Sequence, residues 1–381
     1  MSDVRMVKLG DLCEHVHKID PHNTPDMHFK YIDIGSVDNH HKKLKDVSTF
    51  TGITAPSRAR QVVLPGDIVV STVRPNLNAI AILPHLEKKY IASTGFSVLR
   101  ISEQITAKYV FYYLQSKRFI HSMINLATGA SYPAVTDKTI KSHLVPIPSL
   151  EEQKRIVAIL DKAKSIQEAR ERQLAALDEL ITTIFKNLLS GKYPSSPLGK
   201  LATFYGGSSL PEGSVVPSKS FSMLMKVSDM NRSGNEKYIA ATGLYSTQTT
   251  TGNSTCPKGS IVLPKRGASI LTNKKRITTQ NTMLDPNLMG ITPNSSVNLE
   301  YLYNWFQCFD LATIVSGSSV PQINKRDLSP LKVPVPPLYL QEELAHKIKI
   351  IEAQAILTRK SLELDKTLFS SLQSSLLRSK C

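Results

Sequence analysis

Residues 145–189 read VPIPSLEEQKRIVAILDKAKSIQEARERQLAALDELITTIFKNLL. Pro146 and Pro148 lack backbone donors and favour extended geometry, and everything after them in this stretch is free of proline and glycine. The pattern predicts an extended lead-in followed by one long helix. Steps of three and four residues from Ile156 give Ile156, Leu160, Ala163, Gln167, Arg170, Leu174, Leu177, Ile181, Ile184 and Leu188. That is the spacing of a helix burying one narrow seam, apolar at both ends and polar in the middle.

The passage recurs from Val333 as VPVPPLYLQEELAHKIKIIEAQAILTRKSLELDKTLFSSLQSSLL, an offset of 333 − 145 = 188. At that offset the seam becomes Leu344, Ile348, Ile351, Ala355, Thr358, Leu362, Asp365, Phe369, Leu372 and Leu376 without a gap. Solenoid repeats have periods of roughly 20 to 50 residues, so a repeat this long is a domain duplication. A chain of 381 residues is long enough for two such domains, each with its own core.

The net charge of +16 is shared: residues 1–190 hold 25 Lys+Arg against 19 Asp+Glu, and residues 191–381 hold 22 against 12. Two basic halves suit a phosphate-rich partner, nucleic acid first, although a membrane surface or an acidic protein would also fit. Cys13, Cys256, Cys308 and Cys381 are far apart with no C-x-x-C, which argues against a disulfide framework or a zinc site. The opening MSDVRMVKLG has no apolar targeting core, and no run approaches the roughly 18 apolar residues of a membrane span. The expected location is cytoplasmic, with no membrane partner.

Along the first globular half, residues 1–148, Val7-Lys8-Leu9-Gly10-Asp11-Leu12 is echoed by Leu198-Gly199-Lys200-Leu201, each a helix or strand start. Leu64-Pro65-Gly66-Asp67-Ile68-Val69-Val70 is a turn and a β-branched strand, echoed by Pro257-Lys258-Gly259-Ser260-Ile261-Val262-Leu263. The aromatic runs 108–114 and 300–306 read as short helices, their rings better suited to core than to base stacking. Gly129-Ala130-Ser131-Tyr132-Pro133 and Gly317-Ser318-Ser319-Val320-Pro321 match at offset 188 as small-residue loops closed by proline. Such loops expose N–H groups that can hold phosphate and also serve simply as turns, the second reading weighing slightly more.

The fold expected is α+β: two similar mixed α/β domains (1–148 and 191–336), joined by two long antiparallel helices (149–190 and 337–381) that form a coiled coil, a pseudo-two-fold internal repeat. The antiparallel sense follows because a compact domain keeps its chain ends close, so the second helix starts where the first stops. Helices of roughly 37 residues are about 55 Å long.

Catalytic signatures are weak. Pro336-Pro337-Leu338-Tyr339 lacks the Asn or Asp an amino-methyltransferase tetrad needs before its prolines, and Gly191-Lys192 and Gly199-Lys200 lack the rest of a P-loop. Pro25-Asp26 with Glu87-Lys88-Lys89 is too loose for a nuclease set, and His15, His17, His40 and His41 have no metal-ligand companions in the repeat. Neither catalytic residues nor a metal site are expected.

Leu144-Val145-Pro146-Ile147-Pro148-Ser149-Leu150-Glu151-Glu152-Gln153-Lys154-Arg155-Ile156, following the Gly129–Pro133 loop and opening a long helix, resembles the specificity subunit of type I restriction-modification systems. Pro334-Val335-Pro336-Pro337-Leu338-Tyr339-Leu340-Gln341-Glu342 is similar. The resemblance spans nearly the whole chain and is specific at the Pro-x-Pro-x-Leu-x-x-Gln junctions. It implies two target-recognition domains reading a bipartite double-stranded DNA target, and partners docked on the helices: two methyltransferase subunits and, in the full complex, restriction subunits. Adenine N6 methylation from S-adenosylmethionine, and ATP- and Mg2+-dependent translocation and cleavage, would belong to those partners, with no cofactor in this chain. Lys154-Arg155 maps to Glu342-Glu343, so the two docking faces are expected to differ.

For base edges and phosphates the candidates in the first half are Arg58, Arg60, Arg74, Asn76 and Asn78, with Ser131 and Tyr132 of the proline loop. In the second half they are Lys265, Arg266, Lys274, Lys275, Arg276, Gln322, Lys325 and Arg326, with Ser319. Solvated surface is the bland alternative for each. At the level of the whole chain, the rivals are a coiled-coil adaptor whose charge is incidental and a DNA-binding protein unconnected with restriction.

Overall fold

The computed structural model describes residues 4–45, 47–85, 88–209, 213–217, 222–247, 253–315 and 320–378. Two compact units emerge: residues 1–171 with 360–381, and residues 172–359. The cut falls within both long helices, so each unit owns half of each.

In the first unit Arg5–Lys8 pairs antiparallel with Leu144–Ile147, bringing the start of the globular half to the foot of the first long helix. One four-stranded sheet runs in the order Thr49–Phe50, Phe29–Ile32, Tyr90–Ser93, Ala59–Val63, and a second in the order Cys13–Glu14, Phe96–Ile101, Ile68–Ser71, Ile80–Ile82. Ile68-Val69-Val70 is buried throughout, as a β-branched run between two packed faces should be. Its lead-in turn is set by Gly66 at φ 85° and by Asp67, whose carboxylate accepts the Leu64 N–H at 2.8 Å.

The second unit repeats this plan with two five-stranded sheets. Ser195–Pro197 pairs with Lys332–Pro334 at the foot of the second long helix, and Ile261–Pro264 follows Gly259 at φ 81°. Asp67, paired with Arg100 in the first unit, is matched by Ser260, whose hydroxyl meets Thr292 Oγ1 at 2.6 Å. A buried ion pair is thus replaced by two hydroxyls at the same place in the plan.

The aromatic runs are helices, Ala107–Leu114 and Leu299–Cys308, and their rings are core: Tyr109, Phe111 and Tyr113 in one, Tyr301, Trp305 and Phe306 in the other. Each helix is tied to a junction by the glutamine of the Pro-x-Pro-x-Leu-x-x-Gln motif. Gln153 Oε1 accepts from Thr106 N at 3.0 Å while its amide donates to Pro148 O at 3.0 Å. Gln341 accepts from Asn298 N at 2.8 Å and donates to Pro336 O at 2.7 Å. Tyr109 and Tyr301 hydroxyls donate to Pro146 and Pro334 carbonyls, each at 2.6 Å. The motif is therefore a clamp satisfying otherwise buried backbone groups where strand, aromatic helix and long helix meet.

The long helices are Leu150–Leu189, 40 residues, and Leu338–Leu376, 39 residues. Within the first unit Ile156, Val157 and Leu160 share a core with Phe369, Leu372, Leu376 and Leu377. Within the second, Ile181, Ile184, Phe185 and Leu188 share one with Leu344 and Ile348. The beginning of one helix meets the end of the other in both units, which makes the pair antiparallel. Ile351 and Leu362 are also buried, while Ala163, Leu174 and Leu177 are half-buried. The polar seam residue Gln167 donates to Asp365 O at 3.0 Å, a bond that fixes the register of the pair. Phe185 lies outside the expected seam yet is 1% exposed, packed 5.6 Å from the Tyr301 ring.

Candidate nucleic-acid interface

In the first unit the strand Ile68–Ser71 runs out into Arg74, which holds a left-handed backbone at φ 51° and starts a short 3-10 turn, Pro75–Leu77, closed by Asn78 at φ 45°. A left-handed non-glycine residue is strained, and such strain persists where surroundings over-determine it. Here the proline loop does so. Arg74 N donates to Pro133 O at 2.7 Å, Val135 N donates to Thr72 O at 2.8 Å, and Val73 bridges Ala134. The loop turns at Gly129, φ 99°, where a Cβ would come within 2.9 Å of Tyr132 O.

This geometry sets the Arg74 guanidinium over the Tyr132 ring at 4.9 Å, with Tyr132 69% exposed. Asn76 and Ser131 are exposed beside them in the chain. A guanidinium over an aromatic face keeps N–H donors free to meet a guanine edge or a phosphate. Arg58 is exposed on a neighbouring segment: its carbonyl accepts from Thr94 N at 2.9 Å, and the next residue, Gly95, accepts from Thr72 N at 2.9 Å. Arg60 turns elsewhere, to Asp20 at 3.3 Å and to Ala59 O at 3.0 Å.

Asn78 does not belong to this surface. It is 8% exposed, its amide donates to Leu114 O at 3.0 Å, and its own carbonyl accepts from Lys42 Nζ at 2.6 Å. A side chain anchored to the end of the aromatic helix cannot reach a base, so it is a strut for the loop.

The second unit builds the same arrangement. Gly267, φ 74°, donates to Pro321 O at 2.8 Å, Ile323 N donates to Lys265 O at 2.9 Å, and Arg266 bridges Gln322. The following 3-10 turn, Ala268–Thr272, ends at Asn273, φ 53°, whose amide donates to Phe309 O at 3.3 Å as Asn78 does to Leu114. Lys265, Arg266, Gly267 and Gln322 therefore stand where Thr72, Val73, Arg74 and Ala134 stand in the first unit. Ser319 lies outside the described residues.

Two of the cations expected here are drawn inward and a third is bonded to a neighbouring side chain. Lys275 is 0% exposed, its ammonium bonded to Asn273 Oδ1 at 2.7 Å and Phe309 O at 2.8 Å. Arg276 donates to Met230 O at 2.7 Å and to Lys275 O at 2.8 Å, and burial lowers its pKa. Lys274 is bonded to the Asn231 side chain. The run Lys274-Lys275-Arg276 reads as a phosphate cluster in sequence; leading into the strand Arg276–Thr278, its cations are instead bonded to oxygens of the unit itself. Lys325 lies 5.7 Å over the Phe204 ring, and Arg326 remains open, its side chain 80% exposed, with Asp327 at 3.7 Å.

Burial pushes Lys275 down to about 8 from 10.5. The unfolded chain therefore binds more protons at this residue between about pH 8 and 10.5, and stability from this group rises with pH across that window. Lys275→Met is expected to flatten the rise in unfolding free energy between pH 8 and 10 while leaving the loop at Lys265 and Arg266 in place. Urea titrations at three pH values would check it; an unchanged slope would place the effect elsewhere.

The family described as the type I restriction modification DNA specificity domain matches residues 1–178 and 214–365. The specificity subunit of type I restriction enzyme HindI from Haemophilus influenzae is 24% identical over 191 residues, 49% of this chain and 41% of that one. That of MjaIX from Methanocaldococcus jannaschii is 22% identical over 125 residues, 33% of this chain and 28% of that one. The matches thus span less than half of these curated relatives. A chain from a structure on complex assembly and conformational transition of the type I R-M system has a TM-score of 0.68 at 21% identity, covering 99% of this chain and 98% of that chain. The type I S subunit from M. genitalium has a TM-score of 0.56 at 15% identity, covering 100% and 97%. At these identities the structural likeness speaks for the fold. Among the described residues no helix is long and apolar enough to cross a membrane.

Proposed function

Because the chain belongs to the type I restriction modification DNA specificity family, which takes in both globular halves and much of both long helices, we propose that it is the DNA-recognition subunit of a type I restriction-modification complex. Each unit reads one part of a two-part duplex target, and the chain itself carries out no covalent chemistry. The observation that carries this reading is the duplicated loop: a strand end crossed by a proline loop presents Arg74 and Tyr132 in one unit and Lys265, Arg266 and Gln322 in the other. The two sets differ in residue type, so two different words would be read.

Partner subunits would dock on the helices. Ile166 and Leu368 border an apolar groove in the first unit, and Leu180, Ile350, Ile356 and Leu357 are exposed in the second. Exposed apolar side chains at this density on paired helices suit docking of other subunits. These would be two adenine methyltransferase subunits using S-adenosylmethionine and, in the full assembly, restriction subunits using ATP and Mg2+. A target base flipped out of the duplex would enter the methyltransferase pocket.

The test is co-expression with an adenine methyltransferase subunit from the same organism, followed by mapping of methylated adenines in host DNA. Methylation confined to one asymmetric two-part sequence is expected. Methylation of that sequence in the absence of this chain, or none with it, would refute the reading.

A further inference from the structure

The hairpin formed by Val37–Asp38 and Lys43–Leu44 closes through Asn39, His40, His41 and Lys42. Lys42 adopts φ 58°, and its N–H reaches Asp38 O at 2.8 Å. The Asp38 carboxylate organises the turn, accepting from His40 N at 2.8 Å and His41 N at 3.0 Å. It also lies 2.9 Å from His41 Nδ1, which orients that ring and leaves Nε2 3.6 Å from Glu171 Oε2 on the first long helix. The His40 ring packs edge-on to it, centroids 4.8 Å apart. One ligand atom each from His40, His41 and Glu171 lies within 4.8 Å of the other two.

Ligand atoms about 2.0–2.1 Å from a tetrahedral zinc stand roughly 3.3–3.4 Å apart. The His41–Glu171 spacing already approaches this, and an exposed His40 side chain can close the rest with a shift of about 1 Å. We propose that His40, His41 and Glu171 bind a divalent transition metal of the zinc class, with a fourth position left to water, and that the ion clasps this hairpin to the first long helix.

Two imidazoles and one carboxylate select such an ion over magnesium or calcium, which prefer all-oxygen shells. Asp38 supplies the outer-shell carboxylate that fixes the tautomer of a metal-bound histidine. Of the nearby cations, Lys43 is matched by Glu168 at 2.7 Å, and Lys42 Nζ is turned to Asn78 O at 2.6 Å. That last bond gives the clasp its consequence. The same turn supports the foot of the loop bearing Arg74 and Asn76, so a bound ion braces the loop against the helix.

The experiment is isothermal titration of the full chain, first stripped with chelator, with zinc chloride, alongside thermal unfolding. One zinc per chain at micromolar affinity and a rise in Tm are expected. His40→Ala/His41→Ala and, separately, Glu171→Gln should each weaken binding at least tenfold while leaving the Tm of the metal-free protein within a few degrees, since both imidazoles are exposed and Glu171 is only half-buried. Wild-type protein that takes up no zinc below millimolar concentration overturns the proposal. So does uptake that both variants retain, which would locate the ion on other residues.

Discussion

Replacing Arg74 by alanine is expected to weaken binding to targets carrying the first half-site by about 1–3 kcal/mol, roughly a 5- to 150-fold loss. It should also relax the preference at one or two base pairs of that half-site only. The reason is geometric: the Arg74 backbone is pinned to Pro133 O and its guanidinium lies 4.9 Å over the Tyr132 ring, which narrows the orientations it samples. Tyr132→Leu, which removes the ring but not the charge, should lose part of the specificity and keep most of the salt dependence, because phosphate attraction survives while the fork's aim does not. Competition assays on assembled complex, with single-base variants across both half-sites, would decide. Equal losses on both half-sites would sink the assignment of Arg74 to one of them.

Asp67→Ala is expected to cost about 3–5 kcal/mol of stability, the penalty for orphaning a largely buried charge. Asp67 is 2% exposed and takes Arg100 in a two-pronged pair, Nε at 2.9 Å and a terminal nitrogen at 2.8 Å, besides the Leu64 N–H. The matching change in the second unit, Ser260→Ala, removes only neutral hydroxyl bonds to Thr292 and Pro257 and should cost about 1 kcal/mol. Urea unfolding followed by probes within each unit would compare them, since two units with separate cores need not melt together. Similar losses at both positions would contradict the view that one ion pair was exchanged for a hydroxyl pair.

The helical part of the fold was legible because its signal is local and redundant. A seam spaced three and four residues apart, present twice at an offset of 188, specifies two helices and their buried faces, and the requirement that a domain's ends meet gives their antiparallel sense. Even so Phe185 was missed: it lies one step off the seam, and only the aromatic helix of the second unit gives it something to pack against. The glutamines of the junction motif stood in the sequence at the same offset, but their work, joining Thr106 N to Pro148 O and Asn298 N to Pro336 O, depends on partners more than 40 residues away or across a turn.

The surface on which the candidate residues lie was legible only in part. Arg74, Tyr132, Lys265, Arg266 and Gln322 could be singled out as arginine, amide and loop residues near a strand end or a proline. Their neighbours Asn78, Lys275 and Arg276 have the same chemistry and turn out to be struts. Nothing in residue type separates a lysine that meets solvent from one whose ammonium is absorbed by Asn273 and Phe309. The offset drifts as well, from 321 − 133 = 188 at the proline loop to 267 − 74 = 193 at the strand end and 273 − 78 = 195 at the strut, so roles could not be transferred by counting.

By itself the sequence determined the duplication, the two long helices and their seams, because periodic burial is written into every turn of a helix. Which polar side chains face outward, which brace the loops at the strand ends, and that two turn histidines lie against Glu171 were decided by tertiary structure alone. Strand register and loop crossing set the direction of a side chain, and both are fixed by contacts between residues far apart in the chain.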